Sequence, residues 1–167
     1  MLRRTLVVVV AIAAAALATT ASAGNGNGVV ASASGGYGFS TGAVDVGPFT
    51  WHVRLQADGS VEGGYDYTQV SSSTGAALTV KGPLTCAVII GNHVWVGGII
   101  EDSSRGSLIG LNMWFQAQDN GEGANAPPDM STTIGAGGPG TAQRYCDDHP
   151  PALFPHLIER GNLQVRS

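Results

Sequence analysis

Charge is scarce in this chain of 167 residues. Asp, Glu, Lys and Arg together make up 12 %, and the acids outnumber the bases twelve to eight. A nucleic-acid binder shows a basic stripe. None is present, and a net acidic surface repels phosphate. A polybasic membrane patch is missing for the same reason. Only two cysteines occur, Cys86 and Cys146, and they form no CxxC pair. The four histidines (His52, His93, His149 and His156) show no HxH or HExxH spacing, which leaves a zinc site with little support. No convincing amphipathic helical period appears anywhere. After the N-terminus no apolar run reaches the roughly 20 residues that a membrane-spanning helix needs.

The N-terminus has a different character. Arg3 and Arg4 precede an uncharged apolar run from Leu6 to Ala18, and Ala21-Ser22-Ala23 follows as a small-x-small site. That order reads as a secretory signal peptide over residues 1–23, with the arginine pair as an ordinary n-region. The run is too short for a spanning helix. Two of the eight bases and none of the acids lie in this leader. The mature chain then carries six bases against twelve acids, a net charge of −6. A secreted, extracellular location follows, with no membrane span after cleavage. Residues 24–28 are Gly/Asn-rich and read as a flexible mature N-terminus. The remainder, 29–167, has the length of one domain.

Through that domain the apolar residues alternate with period two. Phe49, Trp51, Val53 and Leu55 interleave with Thr50, His52, Arg54 and Gln56, the pattern of a half-buried strand. Asp58-Gly59 supplies a turn, and Val61, Gly63, Tyr65 and Tyr67 resume the pattern as the second arm of a hairpin. Leu78 to Cys86 continues it, Gly91-Asn92 marks another turn, and Val94 to Ile100 returns. A three-residue loop including His93 would set Ile90 opposite Val94 and keep the aliphatics on one face, so that register is favoured over a two-residue loop. Gly97-Gly98 suggests a bulge or sharp bend. Ile109 to Ala117 alternates again, with shorter candidates at Val29–Ser34, Pro128–Ile134 and Leu163–Val165. The expectation is an all-β antiparallel meander of about eight strands forming a small barrel, with a two-sheet sandwich as the alternative.

Two cysteines in an exported domain most often pair. A Cys86–Cys146 bridge would close a loop of about 60 residues and contribute roughly 4 kcal/mol in the chain-entropy account. It would staple a Gly- and Pro-rich stretch, residues 135–155, that shows no regular period.

The densest polar segment runs from Asp119 to Asp129. Asp119, Glu122 and Asp129 are the candidate Ca²⁺ ligands, and equally the candidate acid/base pair of a polysaccharide-active enzyme. The spacing does not fit an EF-hand, and a simple turn accounts for the residues as well. No other cofactor is indicated. Gly38-Phe39-Ser40-Thr41-Gly42 matches GxSxG by letter but lacks the strand-to-helix context of a nucleophile elbow. Trp95 and Trp114 fall on the opposite parity from the aliphatics beside them. They are candidates for surface contact with a protein or a glycan, unless covered by loops.

The segments Asp119-Asn120-Gly121-Glu122-Gly123-Ala124-Asn125-Ala126-Pro127-Pro128-Asp129 and Glu159-Arg160-Gly161-Asn162-Leu163-Gln164-Val165 resemble those of uncharacterised secreted bacterial proteins. More loosely they resemble a β-module near the C-termini of larger exported bacterial proteins. In that pattern a Gly-rich start, a hairpin, a Gly-Asn turn, the acidic loop and a final strand recur in order. Here these are Gly35-Gly36, the hairpin about Asp58-Gly59, Gly91-Asn92, Asp119 to Glu122 and Gly161 to Val165. The resemblance implies a β-domain without an established activity, and no catalytic residues carry over.

The leading expectation is therefore a secreted, non-catalytic β-domain with an interaction or structural role, its partner an extracellular protein or glycan. A secreted polysaccharide hydrolase or lyase using the acidic loop is the first alternative. A barrel carrying a small apolar ligand is the second.

Overall fold

The computed structural model describes residues 28–123, 125–153 and 155–167. The expected leader, and residues 24–27 of the expected flexible stretch, lie outside them. Eleven strands form one sheet: β1 (Val29–Ser40), β2 (Val44–Gln56), β3 (Val61–Ser71), β4 (Ala77–Ile90), β5 (His93–Ile99), β6 (Asp102–Ser103), β7 (Asn112–Gln118), β8 (Met130–Ser131), β9 (Gly135–Gly137), β10 (His156–Leu157) and β11 (Arg160–Arg166). Nine of them lie along the path β10-β8-β7-β5-β4-β3-β2-β1-β11, while β6 pairs with β4 and β9 with β7. Every pairing is antiparallel. The sheet curls into a half-barrel, and the all-β meander expected from the alternation is what forms.

The alternation explains which face turns inward. Phe49, Trp51 and Val53 of β2 are buried while Thr50, His52 and Arg54 are exposed. Tyr65 and Tyr67 of β3 and Met113, Phe115 and Ala117 of β7 join the core. Phe49 sits at its centre, edge-on to Tyr67 (4.9 Å), Phe115 (4.7 Å) and Tyr37 (5.3 Å). Such edge-to-face pairs each add about 0.5–1.5 kcal/mol beyond their buried area.

β4 changes face midway. A register shift between Leu84 and Cys86 lies opposite Gly98 and Gly97. A bulge is therefore present, with Thr85 of β4 as its extra residue, opposite the glycine pair rather than within it. Val80 and Leu84 point into the barrel before it. After it Ala87 and Ile89 join the inner core, while Cys86 and Val88 pack in a separate outer cluster.

This bulge overturns the register expected at Gly91-Asn92. The loop has two residues, so Ile90 faces His93 and Val88 faces Trp95. Gly91 takes φ 59°, as the first central residue of a type II′ turn requires. The inner pairs are Ala87–Val96 and Ile89–Val94. The bulge groups the aliphatics, and loop length does not.

Three further expectations are corrected. A helix, α1 (Thr141–Asp148), stands in the stretch that shows no period in sequence. Its one buried face is Ala142 and Cys146, four residues apart, and it seats on Gly97, where a Cβ would come within 2.9 Å of the Ala142 Cβ. β7 starts at Asn112 rather than Ile109, because a single 3₁₀ turn (Gly106–Leu108) and Gly110 at φ 85° precede it. The strand expected over Pro128–Ile134 shrinks to Met130–Ser131.

Cys86 and Cys146 are disulfide-bonded, with Cα atoms 6.3 Å apart. The bridge fastens α1 to the outer side of β4 and β5.

The two rims of the sheet are drawn together by one stretch of chain. β10 pairs with β8 at one rim and β11 pairs with β1 at the other, with only Ile158 and Glu159 between them. The Ile158 N–H donates to the Asp129 carbonyl and the Glu159 N–H to the Gly38 carbonyl. The Tyr37 hydroxyl, on β1, shares a 2.7 Å hydrogen bond with the Ser131 hydroxyl on β8. No helix among the described residues is long and apolar enough to cross a membrane.

Candidate functional site

The acidic loop is held by its own carboxylates. Asp119 accepts from the Gly121 N–H through Oδ1 (2.8 Å) and from the Val165 N–H of β11 through Oδ2 (2.8 Å). Asp129 accepts from the Asn120 N–H at 2.8 Å. Burial raises the Asp129 pKa above its ordinary value, and the nearby Asp119 and Glu122 charges add to the rise. Glu122 is exposed. A shallow, open depression of about 230 Å³ lies beside Glu122 and Asp129, with Pro127, Pro128 and Gly161 along it. Among the described residues no three His, Cys, Asp or Glu side chains gather as a metal cluster. The loop's geometry is that of a fastener between β7, β8 and β11.

The two tryptophans lie under a roof. Trp95 is 8 % exposed. Its indole N–H donates to the Pro150 carbonyl (2.9 Å), and its ring stacks on His93 (4.2 Å) with His149 tilted against it (5.5 Å). His149, at φ 44°, ends α1 in the left-handed region and turns the chain over the indole. Gln116, itself buried, donates to the Tyr145 hydroxyl (2.8 Å) and to the same Pro150 carbonyl (3.2 Å). Burial pushes the Tyr145 phenol up to about 12. Trp114 is half-buried, lying over Gly135 and Gly137 with Tyr145 5.9 Å away. Loops and α1 thus cover this half of the outer face.

Ser40 ends β1, exposed, and its hydroxyl accepts from the Gly42 N–H. A β-turn follows it, not a helix. His156 stacks on Phe39 (5.2 Å). Arg160 does not pair with the acidic loop. Its guanidinium lies against Gly38, with Nη2 3.1 Å from where a Cβ would stand. The one ion pair among the described residues is Lys81–Asp102, at 3.0 Å and well exposed.

The other half of the outer face is bare. Across it runs a single cross-strand row, Asn162–Gly36–Thr50–Asp66–Lys81–Asp102, on β11, β1, β2, β3, β4 and β6. All six residues are exposed. A second row, Gln164–Ser34–His52–Gly64–Pro83, lies beside it. Two open depressions meet at Thr50. One of about 710 Å³ includes His52, Gly64, Asp66 and Lys81, and one of about 570 Å³ includes Gly36, Gly38, Pro48 and Arg160. Sequence reading found the wet parity of Thr50 and His52 but not these rows. Register across six strands is not visible in one strand's pattern.

Fold and surface together define an antiparallel β-meander half-barrel with a packed interior, one disulfide-clamped outer face and one open polar face. No family model, curated protein or solved structure matches the chain.

Proposed function

We propose that this chain is an exported β-domain that works by binding an extracellular partner rather than by catalysis. The observation that carries this reading is how the two alternative sites are used. The barrel interior, where a carrier would keep a cavity, is filled by Phe39, Phe49, Tyr67, Met113 and Phe115, all fully buried. The acidic loop, where a hydrolase would converge its carboxylates on substrate, spends Asp119 and Asp129 on backbone N–H groups. What remains presented to solvent is the open polar face. The leader-like N-terminus and the disulfide fit an oxidising, extracytoplasmic setting, as does the resemblance to exported bacterial β-domains.

The test is capture by the immobilised, disulfide-intact domain from exported and cell-wall material, read against a reduced and denatured control. A specific protein or glycan retained only by the folded domain, with no bond cleaved in it, is expected. Release of new reducing ends or of cleaved product during the incubation overturns the reading.

A further inference from the structure

Glycine inside a strand weakens it, and usually marks a bulge or the close approach of something else. Most strand glycines here have an internal reason. A Cβ on Gly35 would collide with Tyr37 and Trp51, on Gly63 with the His52 carbonyl, and on Gly82 with the Ile99 carbonyl. On Gly97 it would meet Cys86, on Gly98 the Pro83 carbonyl, on Gly135 and Gly137 the Trp114 ring, and on Gly38 the Val46 carbonyl. Gly47 and Gly161 hold positive φ. Gly36 and Gly64 are different. The nearest atom to a Cβ on Gly36 would be 4.0 Å away, on Gly64 3.4 Å, and neither has positive φ. The fold has room for a side chain at both. Both lie in the two adjacent rows of the open face and border the depressions that meet at Thr50.

What could approach closely there is limited by the surroundings. β1, β2 and β3 are paired on both edges, so no free ladder groups remain for an added peptide strand. Recognition has to come from side chains standing on the face. In order across the sheet these are an amide (Asn162), a hydroxyl (Thr50), a carboxylate (Asp66), an ammonium (Lys81) and a second carboxylate (Asp102), with the His52 imidazole alongside. Neighbouring strands are about 4.8 Å apart, close to the advance of one pyranose unit along an extended glycan. Mixed donors and acceptors at that interval match hydroxyl groups. Along the two depressions Asp66, Glu101 and Asp102 outnumber Lys81 and Arg160, and Lys81 is already paired to Asp102, which disfavours a polyanion. A second copy of this chain would bring a like net charge.

We infer that the open face binds an extended, uncharged polysaccharide lying across the strands, its ring faces resting on the bare backbone at Gly36 and Gly64 and its hydroxyls meeting the Thr50, Asp66 and Asn162 side chains. This rests on the binding role proposed above and names its partner class.

The experiment is depletion of the soluble, disulfide-intact domain by cellulose, chitin and insoluble mannan, with immobilised polygalacturonate as the acidic control. Wild type is depleted by at least one neutral polysaccharide. Gly36→Val and Gly64→Val suit a strand, so each keeps or raises Tm yet loses about tenfold or more in retention. Thr50→Ala and Asp66→Asn weaken binding without disturbing the fold. Wild type remaining in solution with all three neutral polysaccharides overturns the inference, as does equal depletion of the valine variants or preference for polygalacturonate. A concentration-dependent dimer that the valine variants abolish assigns the face to a second copy and also overturns it. Failure here with a protein captured in the preceding experiment leaves the binding role standing. Cleavage of polysaccharide removes the binding role itself.

Discussion

Asp119 reaches across 46 residues of sequence to accept a hydrogen bond from the Val165 backbone N–H. A loop carboxylate at the end of β7 thereby anchors the last strand, whose side chains Leu163 and Val165 pack on the core. Its other oxygen holds the Gly121 N–H. Hydrogen bonds to charged groups contribute about 1.5–3 kcal/mol each. The Gly121 bond is exposed, so the part-buried Val165 bond carries most of the effect, and Asp119→Ala is expected to lower unfolding stability by about 1.5–3 kcal/mol, while Asp119→Asn recovers part of it. Urea titration of the three proteins checks this, and an unchanged midpoint for the alanine variant refutes it.

Tyr37 carries the second tie between the rims. Its hydroxyl bonds to Ser131 and accepts from the Trp51 indole N–H at 3.0 Å. The ring is buried, and burial drives its pKa upward, so the phenol stays protonated. Tyr37→Phe keeps the ring packing and leaves the Trp51 N–H unsatisfied, a cost of about 1–3 kcal/mol. A Tm that does not move would remove this account.

Reducing the Cys86–Cys146 bridge frees a 60-residue separation. The chain-entropy account gives a loss of about 4 kcal/mol. The structure adds where the loss falls: α1 and the roof over Trp95 loosen first, since Cys146 and Ala142 are the helix's only buried residues. Trp95 fluorescence should shift to the red at a lower denaturant concentration than backbone circular dichroism changes. Coincident transitions after reduction would contradict that order.

His93 titrates with a lowered pKa because burial beneath the roof opposes its charged form, while Gln116 partly counters this. The unfolded chain therefore binds a proton at a pH where the folded one does not. Stability contributed by His93 is complete above the unfolded value of about 6.5 and is lost as pH falls below it. Asp129 runs the other way: its raised pKa favours folding at low pH and that contribution is lost as pH rises through the folded value. Between pH 7.5 and 5 the His93 effect is isolated by comparison with His93→Gln, whose Tm should fall less on acidification than wild type. Parallel Tm profiles would defeat it.

The hairpin at Asp58-Gly59 was legible because one face of β2 and β3 is wet, so parity alone distinguishes inside from outside. Beyond the bulge in β4 that contrast disappears. Val88 and Trp95 are covered on the outer side, so hydrophobic residues occupy both parities and the register at Gly91-Asn92 cannot be read from them. α1 escaped notice for a related reason. Eight residues with two buried side chains give too little periodicity to see, and its seat on Gly97 is a tertiary contact. The acidic loop was legible as polar and turn-forming. Its bond to Val165 is a relation between distant segments, which composition cannot express. Nothing in the sequence separates Gly36 and Gly64 from the other strand glycines, because the room for a Cβ at each is set by the neighbouring strands.

One stretch of chain supplies the end strand at both rims. If residues 156–166 peel away, β1 and β8 lose partners together. Two bare backbone edges then face solvent, each a template for strands of another molecule. Loss of the C-terminal segment would therefore replace the short end strands β10 and β11 with the edges of β8 and of the twelve-residue β1, and is expected to favour cross-molecular sheet growth.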